Sequence, residues 1–111
     1  MTKTAQHIEL APNGLPKTSD WLFPEYDFAR MNPDEYASVV IERILDRGSQ
    51  EEIDWLFRKY GKPTIVKWVR RHGYRLLNWS AFQHWRTTLG IKRYRVPRWE
   101  RGNERTGNWN E

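Results

Sequence analysis

Apolar residues recur at the 3.6-residue period of a helix in four stretches of this chain, separated by short polar or glycine-containing breaks. In the first, Tyr36, Ala37, Val40, Ile41, Ile44 and Leu45 share a face. Asn32 offers an N-cap, Pro33 suits the first helical position because the N–H it lacks would be unbonded there, and Glu35 completes a capping box. Arg47-Gly48 ends that helix. The second opens on another capping box, Ser49 with Glu52, and sets Ile53, Leu56, Phe57 and Tyr60 on one side until Gly61. Lys62-Pro63 restarts the chain. Ile65, Trp68 and Val69 form the inner face of helix three, Lys62, Lys67, Arg70 and Arg71 lie outward, and His72-Gly73 stops it. Helix four has Asn78 or Ser80 as its cap, Phe82, Trp85 and Leu89 as its periodic residues, and Gly90 as its end, with Leu76 and Leu77 in the connection.

Helices of this length joined by short turns imply an all-α fold, a small three- to four-helix bundle. The tight join at Gly61 makes helices two and three a helix-turn-helix-like pair. The segment 21–28 carries Trp21, Phe23, Tyr26 and Phe28 around Pro24, so it reads as an extended aromatic arm laid across the bundle. Residues 1–20, with Asn13-Gly14 between Pro12 and Pro16, read as a flexible arm. Residues 21–91 then form the helical domain. Residues 92–111 lack any helical or alternating period and interleave arginine with aromatic rings, the pattern of a tail that is disordered until it is bound.

Charge adds what periodicity does not show. Residues 1–55 hold 5 Lys/Arg and 11 Asp/Glu, net −6, whereas residues 56–111 hold 14 and 3, net +11. An asymmetry of that size points the second half toward an anionic partner, nucleic acid first and DNA ahead of RNA, or an acidic protein surface. On helices three and four the residues placed to meet it are Lys62, Lys67, Arg70, Arg71, Arg75, Gln83 and Arg86. Two helix pairs could enter a groove. One is helices two and three, although Phe57 stands where the usual bihelical unit has a small residue; the other is helices three and four joined through residues 73–78.

In the tail, Lys92, Arg93, Tyr94, Arg95, Arg98, Trp99, Arg101, Arg105 and Trp109 are the expected partner-binding residues: arginine forks for phosphate or carboxylate, and rings for stacking.

No reaction chemistry emerges. The three histidines, His7, His72 and His84, share no metal-ligand spacing, the serines lie in no nucleophile elbow, and no glycine-rich phosphate loop occurs. The acidic residues Asp34, Glu35, Glu42 and Asp46 read as helix-dipole partners and a solvated face alternating with Arg43 and Arg47. No catalytic residue, cofactor or metal is expected. The chain has no cysteine, and its longest aliphatic run is Val39-Val40-Ile41, so the expectation is a soluble, cytoplasmic protein without a membrane partner.

The order Trp21-Leu22-Phe23 with Tyr26-Asp27-Phe28, then residues 40–48, then Trp55-Leu56 through Arg58-Lys59-Tyr60-Gly61, then Trp85 and Leu89-Gly90-Ile91 resembles a family of small bacterial and archaeal domains of unknown function. Members look like partners of abortive-infection-type nucleotidyltransferase toxins, beside which they are often encoded. The resemblance implies an antitoxin role with a cognate toxin as partner, and it carries a scaffold rather than site residues. The resulting expectation is a non-enzymatic regulator that holds a toxin through its tail and binds its own operator through helices three and four. The alternatives are a stand-alone DNA- or RNA-binding protein and a structural subunit of a ribonucleoprotein assembly.

Overall fold

A computed structural model describes residues 8–97 of the chain. Among the described residues the fold is all-α, with one isolated antiparallel bridge between Leu10 and Pro16 and no β-strand. The chain divides into two compact units, Met1–Gly61 and Lys62–Glu111. That boundary falls inside the stretch expected to form one helical domain. It also separates the members of the expected helix-turn-helix pair.

The first unit contains α1 (Ala37–Arg47) and α2 (Gln50–Tyr60), preceded by two 3-10 turns at Lys17–Leu22 and Phe28–Arg30. Asn32 does cap, accepting from the backbone N–H groups of Asp34 at 2.8 Å and Glu35 at 3.4 Å, but it caps a turn rather than α1 itself. The regular helix begins one turn later, at Ala37. Val40, Ile41, Ile44 and Leu45 of α1 are buried, as their spacing requires. In α2 the buried face is centred on Glu52, Trp55 and Leu56, whereas Ile53, Phe57 and Tyr60 are only half-buried. The apolar period alone placed that face wrongly, because the residue at its centre is a carboxylate.

The arm expected to be flexible is ordered from residue 8 onward, and residues 1–7 lie outside the described residues. Gly14 takes a positive φ of 96°, which lets the chain reverse between Leu10 and Pro16. The Asn13 side chain then donates to the carbonyls of Phe28 at 2.7 Å and Met31 at 2.9 Å, pinning this loop to the second 3-10 turn. Leu15, Leu22, Phe23 and Met31 are all buried, but Trp21 is 55% exposed and is not the anchor its neighbour Phe23 is.

Glu52 explains why the arm is held. Its Oε1 accepts from the Ser49 backbone N–H at 2.8 Å, while Ser49 Oγ accepts from the Glu52 N–H at 3.2 Å, so the expected capping box forms. Its other oxygen, Oε2, accepts from Ser19 Oγ at 2.8 Å and Thr18 Oγ1 at 3.0 Å. One buried carboxylate thus starts α2 and ties the first 3-10 turn to it. Arg43 clamps the aromatic arm in the same way: it donates to the Leu22 carbonyl at 2.8 Å, forks onto the Glu25 carboxylate, and lies 5.9 Å from the centres of both the Phe23 and Tyr26 rings. The solvated face expected at Arg43 is therefore a tertiary contact, its side chain only 16% exposed.

The second unit begins with α3 (Lys62–Trp68), continues without a break through a π-helical turn at Val69–Gly73 into α4 (Tyr74–Leu76), and returns in α5 (Trp79–Thr88). Gly73 does not stop the helix. Its φ of −60° is helical, and a Cβ on it would lie 2.9 Å from Phe82 Cδ1. The glycine is there to let α5 approach. Asn78 caps α5 by accepting from the Ala81 N–H at 2.9 Å. At the other end Gly90, φ 70°, permits a Schellman closure in which the Ile91 N–H donates to the Arg86 carbonyl at 2.8 Å and the Gly90 N–H to that of Thr87 at 3.2 Å.

The tail corrects a further expectation. Ile91, Tyr94 and Val96 are buried, so residues 91–97 belong to the folded unit. Tyr94 stacks on Tyr74 with ring centres 6.0 Å apart and meets the edge of Phe82 at 4.9 Å. It is a core residue, since pairs of this kind stabilise by about 0.5–1.5 kcal/mol beyond the area they bury. It is not a stacking surface for a partner. Arg98, Trp99, Arg101, Arg105 and Trp109 lie outside the described residues.

Candidate nucleic-acid interface

The long helical run α3–α4 carries Ile65, Trp68 and Val69 inward and leaves Lys62, Lys67, Arg70, Arg71 and Arg75 exposed. Lys67, Arg70 and Arg71 stand three and four residues apart, so they share one face of the helix. The π turn at Val69–Gly73 widens the helix beside them and sets one backbone group outward: the Arg70 carbonyl accepts from the Arg95 N–H at 2.8 Å. The Arg70 side chain answers by donating Nε to the Arg93 carbonyl at 3.3 Å. The extended segment after α5 is thereby held along the helix, and its exposed Arg93 and Arg95 join Arg70 and Arg71.

What distinguishes this group is the absence of counter-charge. Residues 62–97 contain nine Lys/Arg and no Asp or Glu. Among the described residues, Arg70 finds a backbone carbonyl and Arg86 a ring face in place of a carboxylate, and these partners do not cancel the charge. His72, inside the π turn, registers the result. Burial first, and then the guanidinium groups of Arg75, Arg71 and Arg95, hold its imidazole below the ordinary value of 6.5. Its Nδ1 is buried and has no hydrogen-bond partner, and its ring lies 5.6 Å from that of Trp68.

The structure brings together only some of the expected residues. Arg70, Arg71 and Arg75 join Arg93 and Arg95 around the π turn. Lys62 and Lys67 stand exposed on α3, and Gln83 on α5, outside the contacts that hold that group. Lys92 is exposed at the start of the extended segment. Arg86 departs from its expected role. It is half-buried, its guanidinium sits 5.2 Å above the Tyr94 ring, and its buried Nε has no hydrogen-bond partner, so it acts as a lid on the aromatic cluster. A residue absent from the expected set is Trp79, 46% exposed at the first position of α5. Its place three residues before the buried Phe82 was the sequence signal that it borders the core without entering it.

Among the described residues no group of three or more His, Cys, Asp or Glu is placed to hold a metal ion. No helix among them is long and apolar enough to cross a membrane.

A family model described as a family of unknown function (DUF6922) matches residues 18–69. The matched stretch runs from the first 3-10 turn to the start of the π turn, so the chain is similar to that family over residues 18–61 of the first unit and over α3, and most of the basic unit lies outside the match. No curated protein and no solved structure matches the chain.

Proposed function

We propose that this protein is a non-enzymatic, antitoxin-like cytoplasmic regulator whose second unit binds nucleic acid and whose basic carboxyl-terminal stretch contacts a cognate toxin. The observation that carries the nucleic-acid part is the run of residues 62–97, with nine Lys/Arg and no carboxylate, folded so that Arg70 bonds the segment of Arg93 and Arg95 while Arg71, Arg75 and Arg95 act on His72 inside the π turn. A phosphate backbone supplies the missing counter-charge. Neutralising about five phosphates would give a log–log salt slope of about −4 to −5 on duplex DNA. The toxin part rests on the resemblance of the aromatic and turn positions and on the charge of the tail.

The test is fluorescence anisotropy with the duplex from upstream of the protein's own gene and a scrambled duplex of equal length, each at two salt concentrations. Preference for its own duplex that persists at the higher salt supports operator binding. Equal binding that vanishes with salt leaves a general nucleic-acid-binding protein. No binding at either salt removes the duplex-binding reading. Co-purification with the neighbouring gene product, lost on deletion of residues 92–111, tests the toxin arm; because residues 91–97 are folded, deletion of residues 98–111 alone is the cleaner form.

The second reading, a stand-alone nucleic-acid-binding protein, is favoured by the same charge distribution, which needs no toxin to explain it.

A further inference from the structure

We propose that Trp79 is a stacking platform for an unpaired base, so that the second unit takes a single strand as well as a duplex; this rests on the nucleic-acid reading above. Leu10, Trp21 and Trp79 are the exposed large hydrophobic residues among those described, and Trp79 is the one that lies within residues 62–97, which hold no Asp or Glu. Trp21 follows Asp20 and precedes Glu25, charges that repel a phosphate chain.

Trp79 is also fixed in place. Its ring stands edge-on to Tyr74 at 5.9 Å and 86°, and tilted against Phe82 at 5.8 Å and 45°. Asn78, just before it, caps α5 and so fixes the backbone that carries the indole. A ring already held loses little conformational freedom when a second ring stacks on it. The start of α5 adds the positive end of a helix dipole beside the base, where the sugar–phosphate chain must pass. In a duplex each base is covered by its neighbours, whereas an unpaired base has a face to offer.

The experiment uses the full chain with a labelled single strand of about 20 nucleotides and a duplex of the same length, comparing wild type, Trp79→Ala and Trp79→Phe. Stacking on one base predicts that Trp79→Ala weakens single-strand binding about 5- to 150-fold. Duplex binding should be unchanged, and Trp79→Phe should recover most of the loss. Equal loss on both substrates, or no loss on the single strand, overturns the stacking role. If wild type binds both with steep salt dependence and Trp79→Ala changes neither, the nucleic-acid reading stands and this inference falls. Failure of wild type to bind either substrate removes both.

Discussion

The two units of this chain handle charge in opposite ways. In the first, cations meet carboxylates: Arg43 forks onto Glu25, Lys59 lies 3.4 Å from Asp34, and Lys17 lies 3.2 Å from Glu9. In the second, Arg70 bonds a backbone carbonyl and Arg86 covers a ring. An ion pair cancels charge, but a carbonyl or a ring face orders a guanidinium and leaves its charge in place. Structural order therefore coexists with a run of positive charge that residues 62–97 do not themselves neutralise. The net charge of +5 understates that run, because the acidic residues that lower it lie in other parts of the chain.

The sharpest way to break the comparison is to discharge the second unit. Changing Lys67, Arg70 and Arg71 together to Ala should make the salt slope on duplex DNA shallower by about 2.7, since each phosphate contact contributes about 0.9. In tenth-molar salt that corresponds to roughly 500-fold weaker binding if the contacts act through counterion release alone. Stability should change little, because exposed substitutions usually stay within about 0.5 kcal/mol each. An unchanged slope would mean that this face does not meet the phosphates.

Glu52→Ala is the matching change in the first unit, with the opposite pattern of effects. The carboxylate is 1% exposed and accepts from Ser49, Thr18 and Ser19, so its removal leaves the buried Ser19 hydroxyl without an acceptor and unties α2 from the first 3-10 turn. The expected cost is about 3 kcal/mol of unfolding free energy, read as a lower urea midpoint. Glu52→Gln, which keeps the shape and one acceptor oxygen, should lose less. Nucleic-acid binding at a temperature where the variant is folded should be unaltered; a loss there would show that the two units are not separable in function.

Local signals in the sequence were legible and non-local ones were not. The box at Ser49 and Glu52, the cap at Asn78, the closure at Gly90 and the inner face of Ile65, Trp68 and Val69 each depend on residues within a turn or two. Glu52 also bonds Thr18 and Ser19, more than thirty positions away, and no periodicity reports that. Tyr94 is buried because Tyr74 and Phe82 wait for it, which made a folded segment look like a free aromatic tail. The basic site was legible as a count of charges. Its gathering point was not, because the bond between the Arg70 carbonyl and Arg95 depends on a π turn that a regular helical period cannot register.

Gly73 makes the same lesson measurable at smaller scale. Ala is the better helix former by up to about 1 kcal/mol, so at the helical φ of −60° that Gly73 adopts it would stabilise if the space beside it were open. At this position the added Cβ would lie 2.9 Å from Phe82 Cδ1, 3.1 Å from Cε1 and 3.2 Å from Val69 Cγ1, and the Phe82 ring is fully buried and cannot retreat. Overpacking of this kind costs about 1–3 kcal/mol, so Gly73→Ala should be destabilising by roughly 1 kcal/mol after the helical gain. A stabilised variant in thermal unfolding would mean that Phe82 does not press on Gly73.

The smallest effect belongs to His72, and it tests whether the positive field is felt inside the fold. Burial and the nearby Arg75, Arg71 and Arg95 hold its folded-state pKa below the ordinary value of 6.5. As the pH falls through 6.5 the unfolded chain gains a proton that the folded chain resists, so stability should decline until the pH reaches the depressed folded value and then level off. His72→Gln has no such proton to take up. The difference between wild type and variant should therefore vary with pH below about 7 and be constant above it. A bound phosphate chain would partly neutralise the same guanidinium groups and raise the pKa of His72. Wild-type binding should then gain more than His72→Gln binding as the pH is lowered from 7 to 6. Parallel pH dependence in the two proteins would mean that the anion sits too far from the π turn to relieve its charge, placing the contact on Lys62 and Lys67 instead.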